Sequence, residues 1–256
     1  MPVVWTLASW LGGPDAWADA ALLVPRAVDA SLRIGDTPLF AKVEAVIFDC
    51  DGTLVDSEPL GFAAIVEAAR ELGVDFAADE DLLELKGCAM STTLATLAGR
   101  LGRPLPADFE ATVRARMAQS FRARLRLIPG AIETITGLTR PYCIASNGPR
   151  AKMDLTLEIT GLMPYFEGRI YSAYEVGSFK PDPGLFLHAA GAMGVAPRHC
   201  AVVEDSAAGV AAGLAAGMTV YALRSSEPLP QALAARVHHL ARLPDLCEAP
   251  WNRSTR

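Results

Sequence analysis

Two aspartates, Asp49 and Asp51, stand directly after the apolar run AVIF at 45–48. In an extended chain, side chains two residues apart lie on the same face, about 6.5 Å from each other. Aspartate can act as a nucleophile toward phosphorus, forming an aspartyl-phosphate that water then cleaves. That scheme needs a second carboxyl group to protonate the leaving alcohol and later to activate water, and Asp51 is well placed for it. The acid role requires a raised pKa, which we expect neighbouring negative charge to provide.

Two more acids, Glu204 and Asp205, follow the apolar run AVV at 201–203. If they meet Asp49 and Asp51, four carboxylates crowd one place. Like charges about 4 Å apart cost about 4 kcal/mol at an effective dielectric constant of about 20. Such a cluster needs a cation, and an oxygen-only ligand set without a His or Cys pattern favours Mg²⁺. The sequence therefore predicts a magnesium site made by these four residues.

A calcium-binding EF-hand loop is the competing interpretation of DCDGTLVDSEPL at 49–60, because such loops also begin with the pattern D-x-D. An EF-hand needs Gly at its sixth position and Glu at its twelfth, where this chain has Leu54 and Leu60. An apolar strand also precedes the stretch. Position and residue type therefore exclude the EF-hand.

Further polar residues occupy comparable places. Ser146 and Asn147 follow the apolar run YCIA at 142–145, and Lys180 stands in the loop SFKPDP at 178–183. A single loop lysine is usually only solvated, so a role for Lys180 in neutralising a phosphate depends on the residues that it joins. The ends of parallel strands meet at one carboxyl edge, where open α/β folds bind ligands. We expect these polar groups to converge there.

The elements that must position these residues follow a regular rhythm from residue 43 onward. Short runs that are apolar on both faces alternate with longer helix-like stretches. Strands of that kind suit a parallel sheet covered by helices on each side. The predicted fold class is α/β, a doubly wound parallel-sheet core at 42–58 and 127–249 with an inserted helical cap.

The interval 59–126 breaks the rhythm, because it has helical periodicity and no convincing strand. It predicts a cap of four helices placed over the end of the first core strand. Segment 1–41 is expected to be a peripheral extension or the product of a wrongly chosen upstream start codon. It makes a poor secretory signal, since no basic residue precedes Arg26. Segment 250–256 is taken as a C-terminal tail.

The composition excludes several classes of function. The formal charge of −6 over 256 residues argues against a nucleic-acid partner. No apolar run approaches the roughly 18 residues of a membrane span. One arginine-rich stretch predicts the solvated face of a helix, with a phosphate-attracting rim as the alternative. Its members are Arg114, Arg116, Arg122, Arg124 and Arg126.

Cysteine usage indicates a reducing compartment. The five cysteines are scattered and form no C-x-x-C pair. We therefore expect a cytoplasmic protein. The expected oligomeric state is a monomer or a weak homodimer. The cysteines are Cys50, Cys88, Cys143, Cys200 and Cys247.

Four segments together resemble the motifs of the haloacid dehalogenase superfamily: DCDGTLVDSE, IASNGP, SFKPDP and VEDSAAG, in that order. The resemblance implies that Asp49 is the nucleophile and Asp51 the acid and base. It also implies that Ser146 and Asn147 hold phosphate oxygens and that Lys180 stabilises the phosphoryl group.

The same resemblance implies a Mg²⁺ site and a moving cap. Asp205, with Glu204 assisting, would hold the ion together with Asp49 and the backbone carbonyl of Asp51. The helical insertion would open to admit substrate and close to exclude water. An aspartate two residues after the nucleophile is absent from the dehalogenases proper, so phosphatase and phosphomutase activities remain.

The phosphomutase alternative corresponds to the β-phosphoglucomutase branch, which LKG at 85–87 resembles. That branch typically has His where this chain has Gly61, and a phosphate-binding Arg where it has Met90. Without a cationic second phosphate site, the mutase reaction is hard to sustain.

The branch of bacterial 6-phosphogluconate phosphatases is similar in FDCDGTLVDSE, SNGP..KM and FKPDPGLFLHAAGAMGV. That similarity is weaker in the cap, and fold alone does not set the substrate. The expected substrate is a small phosphorylated metabolite, with 6-phosphogluconate as the best single choice. A non-catalytic binding protein on the same fold is the alternative from a different class.

Overall fold

A parallel sheet of six strands forms the centre of the computed structural model, which describes residues 33–34, 37–38, 43–76, 90–223 and 228–252. A short antiparallel pair, β1 and β2, precedes it in the chain. The strands are β1 (Arg33–Ile34), β2 (Thr37–Pro38), β3 (Ala45–Phe48), β4 (Tyr142–Ser146), β5 (Ile170–Ser172), β6 (Cys200–Glu204), β7 (Thr219–Leu223) and β8 (His238–Leu240).

The order of the strands in this sheet is β5-β4-β3-β6-β7-β8. Strand β3 therefore lies between β4 and β6, and all three run in the same direction. Residues just after their carboxyl ends are brought to one edge of the sheet. The polar residues that follow these three strands in the sequence meet at that edge.

Helices cover both faces of the sheet. Alternate residues of β3 contribute to two apolar clusters, with Val46 and Phe48 in one and Ala45 and Ile47 in the other. Both clusters include residues from flanking helices, which explains why the strands are apolar on both faces. The helices are α1 (Glu58–Glu71), α2 (Met90–Leu101), α3 (Phe109–Arg124), α4 (Ala131–Gly137), α5 (Arg150–Thr160), α6 (Met163–Phe166), α7 (Ala173–Val176), α8 (Gly184–Ala192), α9 (Ala207–Ala215) and α10 (Gln231–Ala234).

The inserted segment has an apolar cluster of its own, made by residues of α1, α2 and α3 together with neighbouring loop residues. Three of its four predicted helices are described, and the predicted helix in DEDLLELKG lies outside the described residues. The two connections to the core pair with each other. Asp56 N–H donates to Arg126 O at 3.0 Å, and Ile128 N–H donates to Leu54 O at 2.9 Å.

The predicted α/β fold class is confirmed, and the apolar runs AVIF, YCIA and AVV correspond closely to the strands β3, β4 and β6. The short edge strands β5 and β8 were not predicted. The sequence of β8, HHL, has no apolar run, and β5 has only three residues. Hydrogen bonding of β5 to β4 and of β8 to β7 stabilises these two strands, although their local sequences do not indicate a strand.

Three peripheral expectations can be compared with the structure. Apart from β1 and β2, segment 1–41 lies outside the described residues, as do Cys88 and LKG. Of the segment taken as a C-terminal tail, the structure describes 250–252. Asn252 is buried there, and its Oδ1 accepts from Thr139 N–H at 2.8 Å, so these residues pack against the core. In the part of the chain that the structure describes, no helix is both long and apolar enough to cross a membrane.

The arginine-rich stretch lies on and just after α3. Arg122, Arg124 and Arg126 are exposed, while Arg114 is paired with Glu110 at 2.6 Å across one helical turn. Arg116 is paired with Glu71 of α1 at 2.5 Å. These contacts match the predicted solvated helix face.

Candidate active site

A buried lysine between two buried carboxylates forms the centre of the site. Lys180 Nζ donates to Asp49 Oδ1 at 2.5 Å and to Glu204 Oε1 at 2.6 Å. Asp49 follows β3 and Glu204 ends β6, so the adjacent strand ends present both acids to one ammonium group. The Lys180 side chain is only 3% exposed. A buried ammonium group of this kind is stable because both partners are charged.

Glu204 also organises the loop that follows β6. Its Oε2 accepts from the backbone N–H groups of Asp205 and Ser206 at 3.0 and 2.9 Å. The Ser206 hydroxyl donates to the same oxygen and caps α9 by accepting from Gly209 N–H. A Cβ at Gly209 would overlap Glu204 Oε1, so only glycine fits here.

Asp205 is held over the turn that follows β3. Thr53, which is fully buried, donates its hydroxyl to Asp205 Oδ1 at 2.8 Å. Gly52 has a φ of 80°, and a Cβ there would overlap the Asp205 carboxylate. The DGT sequence after the first aspartate therefore provides both the left-handed turn and the space for this acid.

The crowding of these acids changes their proton affinity. Burial, together with the charges of Glu204 and Asp51, raises the pKa of Asp49 to about 7, although Lys180 acts to lower it. Burial and the charges of Glu204 and Asp49 raise the pKa of Asp205 to about 8. The pKa of Lys180 is raised although burial opposes it, because Asp49 and Glu204 stabilise the charged form.

Asp51 departs from the expected electrostatics. Its Oδ1 accepts from the Ser57 hydroxyl and lies 2.8 Å from Lys152 Nζ. Burial alone would raise the pKa of Asp51, but Lys152 and Ser57 outweigh burial and lower it. The predicted upward shift is therefore wrong for this state of the protein, because a cation that the prediction omitted dominates the neighbouring acids.

The residues after β4 adjoin the same place. The buried Ser146 Oγ accepts from Gly148 N–H at 3.1 Å. The carboxamide of Asn147 accepts from Lys180 N–H at 2.9 Å and donates to Lys180 O at 3.2 Å. A carboxamide matches the N–H and C=O of one backbone residue, and the expected contact of Asn147 with a phosphate oxygen stays a prediction. In this structure the Asn147 side chain holds the loop that presents Lys180.

A divalent cation fits the chemistry of this site. One carboxylate oxygen each from Asp49, Glu204 and Asp205 lie within 4.8 Å of one another. When all are ionised, these three acids and Asp51 exceed the charge of Lys152 and Lys180 by two negative charges. Both oxygens of Glu204 already accept hydrogen bonds, whereas Asp205 receives a hydrogen bond from Thr53 alone in the contacts described above. Asp49 and Asp205 are therefore the better-suited ligands.

Sequence reasoning missed several residues that support the site. Ser172, at the end of β5, donates to Gly148 O at 2.7 Å and so braces the loop after Ser146. Lys152 and Ser57 were also missed as partners of Asp51. Lys152 lies in the first turn of α5, six residues after Ser146. This closeness in the chain to a predicted site residue could have indicated that Lys152 lies near the site. Cys50, between the two aspartates, is buried in the apolar core instead.

Comparison with known proteins gives consistent matches. The family described as "Hydrolase: haloacid dehalogenase-like hydrolase" matches residues 43–217. The 6-phosphogluconate phosphatase of Escherichia coli K12 is 35% identical over 213 residues, which cover 82% of this chain and 96% of that protein. Hexitol phosphatase A of the same organism is 32% identical over 194 residues, covering 74% and 87%.

A solved structure agrees with these relatives. A HAD family hydrolase from Deinococcus radiodurans R1, whose crystal structure contains bound phosphate and sodium, superposes with a TM-score of 0.65. It is 33% identical to this chain, and the match covers 80% of this chain and 94% of that one.

Proposed function

This chain belongs to the haloacid dehalogenase-like hydrolase family, and from that premise we propose that it is a Mg²⁺-dependent phosphatase acting on a small phosphomonoester. The observation that carries the proposal is the buried Lys180 between Asp49 and Glu204, with Asp205 close by. That arrangement combines a nucleophile, a fixed positive charge and a place for a divalent cation. Phosphoryl transfer depends mostly on such positioning and charge stabilisation.

In the first step, Asp49 attacks the phosphorus atom, so that a bond forms from its carboxylate oxygen and the bond to the leaving oxygen breaks. Lys180 offsets negative charge on the nucleophile and on the phosphoryl oxygens. Asp51 gives a proton to the leaving oxygen, which departs as an alcohol. Because Asp51 is held ionised beside Lys152, it must first take up a proton, and a dianionic phosphate placed beside it raises its proton affinity.

In the second step, water attacks the phosphorus of the aspartyl-phosphate and Asp51 takes its proton. The bond to Asp49 breaks, which releases inorganic phosphate and restores the carboxylate. The lowered pKa of Asp51 favours the ionised form that this step requires at its outset.

Mg²⁺ would be held by Asp49, Asp205 and the backbone carbonyl of Asp51, with Glu204 contributing charge and the position of Lys180. When bound, the ion supplies positive charge that offsets the crowded carboxylates and the phosphate oxygens. Ser146 would hold a phosphate oxygen. The carboxamide of Asn147 would hold the loop that presents Lys180, and the backbone of Asn147 would hold the phosphate.

The proposed substrate is a sugar phosphate or a related compound, with 6-phosphogluconate as the first candidate. Support comes from the relative of that name, which matches over 96% of its own length. A phosphate-release screen over sugar, polyol and nucleoside phosphates, with and without Mg²⁺, tests this choice. A kcat/KM for 6-phosphogluconate at least about tenfold above that for the other compounds would support it, and the reverse ranking would reject it.

A phosphomutase is less well supported by the cap. Gly61 is buried beside the apolar side chain of Met117, because a Cβ placed on Gly61 would lie 3.7 Å from Met117 Cε. Met90, where the mutase branch places Arg, begins α2. These two positions offer no charge to a second phosphate. Conversion of β-glucose 1-phosphate to glucose 6-phosphate faster than phosphate release would favour the mutase.

The nucleophile is tested by Asp49→Asn with an aryl phosphate as substrate. We expect Mg²⁺-dependent hydrolysis to be lost, while Asp154→Asn, which removes the half-buried partner of Arg150, keeps wild-type turnover. Undiminished turnover by Asp49→Asn would reject the nucleophile. A wild-type protein that releases no phosphate from any compound in the screen would support a binding protein instead.

A further inference from the structure

We infer that Lys152 is a positioning residue for Asp51, fixing which oxygen of that carboxylate faces the leaving group. The inference rests on the proposed phosphatase function. It adds a residue from α5 to the site, one that acts through Asp51 on proton transfer at the leaving oxygen.

Both donors to Asp51 reach the same oxygen. Lys152 Nζ lies 2.8 Å from Oδ1, and the Ser57 hydroxyl donates to Oδ1 as well. The other oxygen, Oδ2, faces Gly148, where it would lie 3.3 Å from a Cβ. Ser146 Oγ would lie 3.4 Å from that same Cβ. Oδ2 is therefore directed to the side of the site where Ser146 would hold a phosphate.

This division of the two oxygens suits both proton transfers. An oxygen that accepts from Lys152 and Ser57 can do so whether or not the carboxyl group carries a proton on the other oxygen. The proton is then carried on Oδ2, next to the leaving oxygen. Without Lys152 the carboxylate can rotate about its Cβ–Cγ bond and present either oxygen, because Ser57 alone provides one neutral donor.

The placement of Lys152 is not explained by the stability of its own helix. It lies in the first turn of α5, where the helix dipole disfavours a cation, and that turn contains no acidic residue. Its side chain is 27% exposed, and Nζ stands 5.9 Å from the ring centroid of Phe121 in the cap helix α3. The ammonium group thus sits between core and cap, with Asp51 as its ion-pair partner.

The test compares two substrates whose leaving groups differ in their need for a proton. Nitrophenolate leaves without protonation, whereas the alkoxide of an alkyl phosphate such as 6-phosphogluconate needs an acid. Rates of the first turnover are measured with Mg²⁺ for wild type, Lys152→Met and Lys152→Arg. We expect Lys152→Met to slow the alkyl phosphate about 10²-fold and the nitrophenyl phosphate less than about threefold. Lys152→Arg, which keeps a donor, should recover most of the loss.

Arg150→Met, in the same helical turn, is the matched control, because Arg150 pairs with the half-buried Asp154 at 2.7 Å. It should change neither rate. Equal slowing of both substrates by Lys152→Met would show a structural or phosphate-binding role, and no slowing would show none; each result overturns the inference. If Lys152→Met does not fold, as judged by thermal unfolding, Lys152→Leu, which also lacks a donor, replaces it in the same comparison. A wild-type protein inactive on both substrates would instead reject the proposed function.

Discussion

Charged side chains that form ion pairs are buried at the edge of the sheet and partly exposed in the helical insertion. At the sheet edge, Lys180, Asp49 and Glu204 are buried and held by one another, with the lysine 3% exposed. In the insertion, Arg116 and Glu71 form an ion pair of similar length with side chains 31% and 62% exposed. A buried charge depends on its partners, whereas solvent replaces a lost partner at the surface. The difference agrees with the proposal that the chemistry takes place at the edge of the sheet, while the described charge pair of the insertion lies at the surface.

The largest expected effect comes from removing the buried ammonium group with Lys180→Met. Asp49 and Glu204 would then face each other without a cation, which we expect to destabilise the fold by about 3–5 kcal/mol. Phosphatase activity should fall about 10²–10³-fold. Steady-state kinetics at saturating Mg²⁺ and urea unfolding measure the two effects. Wild-type kcat/KM in this variant would contradict the role of Lys180.

A smaller effect follows from adding one methyl group at a glycine in each region. Gly209→Ala places a Cβ on Glu204 Oε1, so either Glu204 or α9 must shift. We expect activity to fall about 10²-fold and stability by about 1–3 kcal/mol. Gly99→Ala in the cap helix α2 meets nothing within 4 Å and should stabilise by about 0.5–1 kcal/mol without changing activity. Thermal unfolding and kcat/KM compare the two, and equal effects would refute the contrast.

The crowded acids predict a pH dependence of stability in the metal-free protein. The pKa values of Asp49 and Asp205 are raised to about 7 and about 8, from an unfolded value of about 3.9. Between these values the folded protein keeps protons that the unfolded chain has released. Stability is therefore expected to decrease from about pH 4 to about pH 8. The lowered pKa of Asp51 acts in the opposite sense, but only below about pH 4.

Urea unfolding in the presence of EDTA measures this decrease. Added Mg²⁺ should raise the free energy of unfolding more at about pH 8 than at about pH 5, because it binds the ionised carboxylates. Asp205→Asn should flatten the dependence. An unchanged slope in that variant would show that Asp205 does not contribute.

The smallest effect is expected in the insertion, from Arg116→Met. The variant loses the contact with Glu71, but both groups remain accessible to water. The Tm should stay within about 2 °C of wild type, and kcat/KM should not change. A loss of activity would place this surface pair in the function of the cap after all.

Much of the site could be predicted because strand ends are local features. Apolar runs located β3, β4 and β6, and parallel topology brings the residues after such strands to one edge. Gly52 lies after β3 and Gly209 lies in α9, and no local sequence pattern indicates why each of them must be glycine. Each leaves room for a carboxylate from a distant segment, and only the packed chain shows which one.

The sequence by itself determined the residue types, the positions of the central strands along the chain and the kind of chemistry that two aspartates separated by one residue can perform. Tertiary structure decided the partners. Lys180 meets Asp49 across 131 residues of chain, the Asn147 carboxamide binds the backbone of Lys180, and Lys152 reverses the expected shift of the Asp51 pKa. The reason is physical. Local patterns follow from backbone geometry and burial, whereas the proton affinity of a buried acid depends on charges a few ångströms away, which folding alone brings there.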